Sequence, residues 1–513
     1  MKTMSRIHRV SINAATNYLR FFITMIVSFI LIPFIIRTLG QEVYGLWTLS
    51  FSVIGFFSLL DFGFGLGVVK WTGESSVTKE YDHRNHLLST VFFIYLGIAV
   101  FGMLLIAGFS LLYPRLFSIP EEFKKPAVLV LIILAIRSLA IQVPLSLFKG
   151  VLFGEQQIYK INIIQVFGNL LYAGTTWVLL SKGYGIVVLA LINCSAFFIE
   201  NLLYVILAFS QVKNLSLSIR KVKKKYFREA VSFSFFSFIT TIAGLVLFNT
   251  DSIIIQITLN LSMVGLYGVA IKITEYSLIL TKQLVNVLTP LISELKAKKE
   301  DHSIRYLLTD LSKYLLATGA LITGTIYVFG ADLLTLWVGE SFLPATIPLY
   351  ILMTAFMISI PELVASNVLT MTGYHRYTAK VSVSSIIVNL TISLLLVKPL
   401  GLTGIAIGTL ISSVINNTGL TLWKASKVYE FHYSLYLSKV FIPALLPLTA
   451  LMGTGFIIKY YFSVTSLWVM MLEAVPGVLV YLTIFWLFCV DKPMKHKVMN
   501  KLKRKQDSEV DKT

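Results

Sequence analysis

The stretch AATNYLRFFITMIVSFILIPFII, residues 14–36, is an apolar run of the length that crosses a lipid bilayer as one helix, for which about 20 residues are needed. No small-residue cleavage site follows this run, so we expect a retained first helix and not a signal peptide. Runs of this kind recur along the chain. Fourteen candidate spans centre near Ile26, Val53, Val100, Ala140, Leu171, Phe197, Ala243, Leu278, Leu321, Phe356, Val388, Ile411, Thr449 and Val480.

The composition agrees with a membrane protein. Of the 513 residues, 56% are hydrophobic and 13% are charged, and this charged share is about half of that in a soluble domain. A soluble protein of this length could not bury so much apolar surface. The sequence therefore predicts an all-α polytopic membrane protein with about 14 transmembrane helices.

The basic residues are distributed unequally between the segments that connect the spans. If both termini are cytoplasmic, the cytoplasmic segments carry 32 of the 44 Lys and Arg residues and the outer loops carry 7. Basic residues concentrate in cytoplasmic loops of membrane proteins, and an odd number of spans would destroy this asymmetry. The net charge of +19 is therefore expected to meet anionic membrane lipids and not nucleic acid.

A weak internal repeat has an offset of about 220 residues. The segment LGQEVYGLW (Leu39–Trp47) recurs as LNLSMVGLY (Leu259–Tyr267), and GNL at Gly168 matches VNL at Val388. The repeat predicts two six-helix bundles related by a pseudo-twofold axis along the membrane normal, with a cavity between them, and an added helix pair. The predicted parts are a first bundle (1–209), a basic cytoplasmic linker (210–228), a second bundle (229–430), helices 13 and 14 (431–490) and a basic cytoplasmic tail (491–513).

Polar residues form a stripe on the first span. Asn13, Asn17, Arg20, Thr24 and Ser28 fall within an arc of roughly 80° on a helical wheel. Arg20 alone could equally be a snorkelling side chain. The stripe favours a cavity face, with Asn17 and Arg20 as substrate-binding residues.

Arg137 lies near the middle of the fourth span, in LIILAIRSLAIQV. A charge at this depth is costly and is usually functional, so we interpret Arg137 as a further cavity residue. A structural arginine held by helix carbonyl groups is the alternative.

The eighth span carries a second polar face. Lys272, Glu275, Lys282, Asn286 and Thr289 lie within about 100° of one another. A structural ion pair between Lys272 and Glu275 is the alternative interpretation, but it leaves Lys282 unexplained. We therefore assign Lys272, Lys282 and Asn286 to substrate binding, and Glu275 to an ion pair or to ion coupling.

Three other acids lie in apolar surroundings. Asp61, in LLDFGFGLGVVKW (Leu59–Trp71), could face the same cavity as Arg20, as an ion partner or a proton carrier. Asp251 lies near the outer end of the seventh span and has either a coupling or an interfacial role. Glu200 is a single acid of the sixth span. The glycines that follow Asp61 are typical either of a close helix packing seam or of a bend.

The sequence shows no sign of catalytic or metal chemistry. The seven histidines are expected in loops or tails, and no span carries a metal-ligand cluster or a Cys/His dyad. Cys194 and Cys489 both lie in apolar spans, and a phosphate-binding P-loop is absent from the sequence. We therefore expect no metal, no cofactor and no enzymatic activity.

The stretch IIRTLGQEVYGLWTLSFSVIGFFSLLDFGFGLGVVKW (Ile35–Trp71) resembles the first two helices of polysaccharide-export flippases of the O-antigen type. These belong to the multidrug/oligosaccharidyl-lipid/polysaccharide exporter superfamily. The resemblance implies a flippase of a bacterial or archaeal plasma membrane that moves a polyprenyl-diphosphate-linked oligosaccharide to the outer leaflet by alternating access. Its partners would be this lipid-linked glycan, membrane lipids and polysaccharide-assembly proteins. Related lipid II flippases bind the pyrophosphate with cationic cavity residues, a role that Arg20, Arg137, Lys272 and Lys282 fit.

Two other functions stay open at this stage. A cation-coupled drug antiporter of the same superfamily would use acids in its cavity more than bases, whereas bases dominate here. A polytopic glycan polymerase or ligase would need a large outer loop with catalytic Arg or His, and the sequence shows none.

Overall fold

The computed structural model describes residues 6–57, 62–286, 288–492 and 495, with side chains described except at 6–11, 14, 233–248, 286 and 290. Two of the predicted site residues are affected. Asp61 lies outside the described residues, and so does the side chain of Asn286.

The described part of the chain is almost entirely helical and contains no strand. A helix satisfies all of its backbone hydrogen bonds internally, as a lipid environment requires. The helices are α1 (Arg6–Leu39), α2 (Gln41–Phe57), α3 (Phe64–Thr78), α4 (Tyr81–Leu116), α5 (Glu121–Ala135), α6 (Val143–Gly154), α7 (Ile158–Ser181), α8 (Ile186–Gln211), α9 (Lys224–Thr258), α10 (Leu261–Asn286), α11 (Thr289–Ala297), α12 (Asp301–Tyr306), α13 (Ser312–Trp337), α14 (Thr346–Met371), α15 (His375–Leu400), α16 (Leu402–Ser412), α17 (Leu422–Val428), α18 (Tyr433–Tyr461) and α19 (Leu467–Ile484).

Short π-helical segments join several of these helices into longer ones. Ile136–Gln142 connects α5 to α6, Leu307–Leu311 connects α12 to α13, and Ser413–Thr421 connects α16 to α17. A fourth, Phe485–Cys489, extends α19. The apolar periodicity does not reveal these segments, because one extra residue per turn leaves the composition of a span unchanged.

Twelve helices of the described chain are long and apolar enough to cross a membrane. They coincide with twelve of the fourteen predicted spans, so the protein is a multi-pass membrane protein. The two other predicted spans centre at Val53 and Ala243. The structure does not describe residues 58–61, which follow Val53. It also does not describe the side chains of residues 233–248, which surround Ala243. The count of fourteen therefore stays a prediction.

The glycines after Asp61 begin a new helix. Phe62 and Gly63 have φ angles of 50° and 72°, and α3 begins at the next residue. Glycine adopts this left-handed conformation without the penalty of a Cβ. A close packing seam also forms between α3 and α6, where a Cβ on Gly150 would lie 3.7 Å from the carbonyl oxygen of Gly65. A Cβ on Gly150 would lie 2.9 Å from Val68 of α3, and a Cβ on Gly154 would lie 2.7 Å from Thr72.

The chain forms two compact units. The first consists of Met1–Val269 with Ser393–Gly404, and in it α1 packs on α7, α7 on α8, and α6 on both α3 and α8. The second consists of Ala270–Ile392 with Ile405–Thr513, and in it α13 packs on α14, α18 and α19. Contacts define these units, whereas the predicted bundle boundaries rest on the repeat and stay a prediction.

Residues that the repeat makes equivalent contact each other within the first unit. A Cβ on Gly45 of α2 would lie 1.9 Å from the carbonyl oxygen of Leu261, and a Cβ on Gly265 of α10 would lie 2.8 Å from the carbonyl oxygen of Gln41. Gly45 and Gly265 are equivalent by the offset of 220, and so are Gln41 and Leu261. Reciprocal contacts of this kind are the mark of a local twofold relation, so they support the duplication.

The basic linker is fastened to the start of α4. Arg84 donates to the carbonyl oxygen of Lys213 at 2.9 Å, Asn85 donates to that of Asn214 at 2.6 Å, and His86 bonds to that of Lys221 at 2.6 Å. The expectation that all histidines lie in loops or tails is therefore wrong. His86 is buried in α4, and His8, His83, His302 and His375 also lie within helices. His86 is held there by its bond to the carbonyl oxygen of Lys221 and by its contact with Asp82 at 3.5 Å.

Candidate functional site

Four charged side chains converge in the first unit, and we call them the cation cluster. They are Arg20 of α1, Arg137 of the π-helical segment, Lys149 of α6 and Glu200 of α8. Glu200 lies within electrostatic range of Lys149 and Arg137, and Lys149 lies within range of Arg20. All four are partly buried. Lys149 and Arg137 thus share one carboxylate inside an apolar bundle, and Arg20 lies within range of Lys149, so positive charge is in excess.

The position of the Glu200 carboxylate depends on a hydrogen bond on α8 and on free space beside α7. Tyr204, one turn further along α8, donates its hydroxyl to Glu200 Oε1 at 2.8 Å. On α7, a Cβ at Gly168 would lie 3.0 Å from Glu200 Oε2. The absence of a side chain at Gly168 therefore gives Glu200 its room. The GNL segment that marked the repeat contains this glycine.

Arg137 stacks on aromatic rings. Its guanidinium carbon lies 4.0 Å from the ring centroid of Phe197 and 5.7 Å from that of Phe51. Such cation–π contacts hold the plane of the guanidinium without using its N–H donors. Among the described residues, Arg137 Nε finds no hydrogen-bond partner although it is buried. The π-helical geometry at Arg137 is common at functional sites.

Arg20 is likewise only partly satisfied. One terminal nitrogen donates to Asn17 Oδ1 at 3.0 Å, while Arg20 Nε is buried and has no hydrogen-bond partner in the described part of the chain. Guanidinium groups with unused donors suit phosphate or carboxylate oxygens. Asn17 positions Arg20 in this arrangement.

The polar stripe of α1 is confirmed as one face of the helix. The opposite face carries large apolar side chains that are exposed, as a lipid-facing surface requires: Leu19, Phe22, Ile26 and Ile30. Part of the stripe packs against α7. Asn169 donates to Thr24 at 2.8 Å, and Asn13 accepts from the backbone N–H of Tyr159 at 2.9 Å. These two members of the stripe therefore join helices.

The predicted residues of the eighth span lie in the second unit. Lys272 Nζ lies 2.7 Å from Glu275 Oε2, so the ion pair that was the alternative interpretation is formed. Both side chains remain accessible, at 40% and 33% of their full exposure. Lys282 is exposed and lies within electrostatic range of Glu362 on α14. Asn367 of the same helix donates to Thr289 at 3.0 Å.

Asp251 of α9 interacts with α10. It is buried and accepts a hydrogen bond from Tyr267 at 3.0 Å. Its Oδ1 has no hydrogen-bond partner among the residues described. The structure thus links Arg20 and Arg137 through Lys149 and Glu200. It leaves Lys272 and Lys282 with partners in the second unit, and the roles of all of these residues stay a prediction.

The sequence analysis assigns no site role to three charged residues that the structure places beside predicted site residues. Lys149 and Glu362 were assigned no role, and Glu200 was noted only as a single acid. Each is a charge within a predicted span or close to its end, which was the available signal. No group of three His, Cys, Asp or Glu side chains that could hold a metal ion occurs in the described residues.

The chain is similar to proteins of glycan and polysaccharide biosynthesis. The family model described as "Polysaccharide biosynthesis protein" matches residues 12–296. The chain is 24% identical over 474 residues to "Probable low-salt glycan biosynthesis flippase Agl15" of Haloferax volcanii, covering 90% of this chain and 92% of that protein. It is 21% identical over 416 residues to a Shigella flexneri protein whose name describes it as an O-antigen transporter, covering 79% and 95%.

Two solved structures show the same fold. The inward closed conformation of the lipid II flippase MurJ superposes with a TM-score of 0.72 at 15% identity, over 92% of this chain and 97% of that one. An inward-facing multidrug resistance transporter of the MATE family, in the MOP superfamily, superposes with a TM-score of 0.67 at 14% identity, over 82% and 97%.

Proposed function

Because the chain belongs to the polysaccharide biosynthesis protein family, we propose that it is a flippase for a polyprenyl-diphosphate-linked oligosaccharide. It moves this cell-surface polysaccharide precursor from the cytoplasmic to the outer leaflet by alternating access. The names of the Haloferax volcanii and Shigella flexneri relatives support this cargo. The observation that carries the proposal is the excess of cations over carboxylates in the cation cluster.

A diphosphate needs such a cluster. It carries about two negative charges and many acceptor oxygens, and its transfer into hydrocarbon without partners is costly. Arg20 and Arg137 offer unused guanidinium donors, and Lys149 adds an ammonium group. The polyprenyl chain itself can remain in lipid. Lys272 and Lys282 are also proposed as cargo-binding residues, together with Asn17 and Asn286.

The remaining parts of the proposal concern location. The protein is placed in the plasma membrane of a bacterium or archaeon, with both termini in the cytoplasm, as the charge distribution favours. It acts as a transporter and not as an enzyme. Its partners are the lipid-linked glycan, membrane lipids and the proteins that assemble the polysaccharide.

Reconstitution tests the proposal. Proteoliposomes receive a fluorescent polyprenyl-diphosphate disaccharide, and dithionite quenching reports how much probe becomes accessible from the other leaflet. We expect the protein to accelerate exchange, and Arg20→Gln or Arg137→Gln to lower the rate at least tenfold. Lys160→Gln is the matched control, because it removes a positive charge from α7 of the same unit. Equal rates in all variants, or no exchange with wild-type protein, contradict the proposal.

A drug antiporter is the second candidate, and the shared fold with a MATE transporter favours it. Excess positive charge in the cation cluster opposes a cationic drug, since like charges repel. The same proteoliposomes, loaded with ethidium and given a sodium or proton gradient, decide between the two. Gradient-driven ethidium efflux without movement of the glycolipid would select the antiporter.

A further inference from the structure

A cavity of about 230 Å³ lies in the second unit, where α12 and its π-helical extension meet the start of α18. Two chain segments line it, residues 302–309 and 431–439. Both segments lie in membrane-proximal positions, because the apolar parts of the α13 and α18 spans follow them directly. We call it the α12–α18 cavity.

The lining of this cavity is basic. It includes Arg305, Lys439, His302 and His432, and it includes no carboxylate among the described residues. Arg305 Nε is buried and finds no hydrogen-bond partner within the described chain. A buried donor of this kind calls for an acceptor, and a phosphate oxygen suits a guanidinium well.

The acids nearby have their own partner. Asp310 lies within electrostatic range of Lys439, but it also lies 3.9 Å from the ammonium group of Lys313. Lys313 binds Asp491 at 2.6 Å as well. Asp310 and Asp491 thus share the ammonium group of Lys313 next to the cavity, and Asp310 also reaches Lys439. The unused donor of Arg305 stays available to an anion inside the cavity.

Two large exposed side chains with apolar surface line the cavity. Tyr306 is 57% exposed and Leu435 is 49% exposed, and both line the cavity. Tyrosines concentrate at the level of the lipid headgroups, where their rings meet the acyl chains and their hydroxyl groups meet water. A ligand with an anionic head and an apolar body could contact the basic side chains with its head and Tyr306 and Leu435 with its body. A free phosphate ion could contact only the basic side chains.

We propose that the α12–α18 cavity binds the phosphate headgroup of an anionic membrane lipid. Arg305 and Lys439 contact the phosphate oxygens, His302 and His432 contribute ring N–H donors, and Tyr306 and Leu435 flank the start of the acyl chains. This site is independent of the cation cluster, and lipid binding here does not require that the protein transport a glycan.

Lipid binding to the purified full-length chain tests the proposal. The protein in neutral detergent is titrated with short-chain phosphatidylglycerol or phosphatidylcholine, and adducts are counted by native mass spectrometry. We expect phosphatidylglycerol to bind at least tenfold more tightly than phosphatidylcholine. Arg305→Gln and Lys439→Gln should each weaken its binding about tenfold, whereas Arg305→Lys should retain most of it. Arg376→Gln, an exposed residue of α15 outside the cavity, is the matched control.

Other outcomes overturn the proposal. Equal losses in Arg376→Gln and Arg305→Gln would mean attraction to general surface charge. Equal affinity for the two lipids would exclude headgroup recognition. Displacement of phosphatidylglycerol by millimolar glycerol 3-phosphate or inorganic phosphate would assign the cavity to a soluble phosphate. Unfolding temperatures of the lipid-free variants, expected to match wild type, show that each protein is folded in these comparisons.

Discussion

Gly45 and Gly265 lie backbone against backbone and are 220 residues apart. A Cβ on Gly45 would lie 3.2 Å from the backbone nitrogen of Gly265, and a Cβ on Gly265 would lie 3.3 Å from that of Gly45. The next equivalent pair behaves alike, since a Cβ on Gly268 would lie 3.1 Å from Cγ2 of Thr48. The offset found in the sequence is therefore also a contact pattern in space. A crossing at which each residue meets its own equivalent supports an origin by duplication.

This crossing should tolerate no side chain. Gly45→Ala places a methyl group against the carbonyl oxygen of Leu261, and both atoms belong to helix backbones that cannot turn away. We expect a loss of about 1–3 kcal/mol in the free energy of unfolding, typical of overpacking. Thermal unfolding in detergent measures it. Gly97→Ala on α4 is the control, because open space surrounds that position, and equal stability of the two variants would disprove the tight crossing.

Gly168 should control the position of Glu200. Gly168→Ala puts a methyl group 3.0 Å from Glu200 Oε2, so the carboxylate must shift or lose its fixed position between Tyr204 and the cations. We expect transport of the fluorescent glycolipid to fall severalfold while expression stays normal. Gly174→Ala, on the same helix with nothing within 4 Å, should transport at the wild-type rate. Full activity of Gly168→Ala would argue against a role for the fixed carboxylate.

The topology can be tested at two exposed serines. Ser216 lies in the basic linker and Ser341 lies between α13 and α14. The charge distribution predicts that they lie on opposite sides of the membrane. Single cysteines at these positions should react with a membrane-impermeant maleimide from opposite sides, the linker cysteine only after permeabilisation. Labelling of both from one side would refute the fourteen-span topology.

The attachment of the linker to α4 should contribute to stability. Asn85→Leu removes the donors to the carbonyl oxygen of Asn214 and to Ser216 Oγ, at 2.6 and 3.1 Å, and it also removes the acceptor of the buried Arg84 side chain. The expected cost is about 1–3 kcal/mol, together with faster proteolysis within residues 210–228. Asn260→Leu, at a cap that is more exposed, should leave the linker as resistant as in wild type. Unchanged proteolysis of the Asn85 variant would contradict the fastening.

The sequence predicts the features that depend on one helix at a time. Span positions follow from the length of apolar runs, and the stripe with Asn17 and Arg20 follows from helical periodicity. Features that need two helices were less accessible. Lys149 and Glu200 meet only because α6 packs on α8, and the turn at Phe62 and Gly63 interrupts what looked like one span. The π-helical segment that carries Arg137 leaves no mark in the hydrophobic pattern.

The carboxylate of the cation cluster should compete with the cargo for the same cations. Glu200 faces Lys149 and Arg137 in the structure, and a diphosphate that binds these cations has to offset that interaction. Glu200→Gln preserves an acceptor for Tyr204 but removes the negative charge. We therefore expect a water-soluble, short-chain polyprenyl diphosphate to bind this variant about tenfold more tightly than wild type, a gain of about 1.4 kcal/mol. Release of the cargo should become slow, so net transport should fall. The variant without ligand should unfold at a lower temperature, because Lys149 and Arg137 then lack their carboxylate. Isothermal titration at several salt concentrations measures the affinity, and Glu275→Gln, which breaks the accessible pair with Lys272 in the second unit, is the comparison. Unchanged or weaker binding by Glu200→Gln would show that Glu200 supports the fold alone and does not hold the place of the cargo.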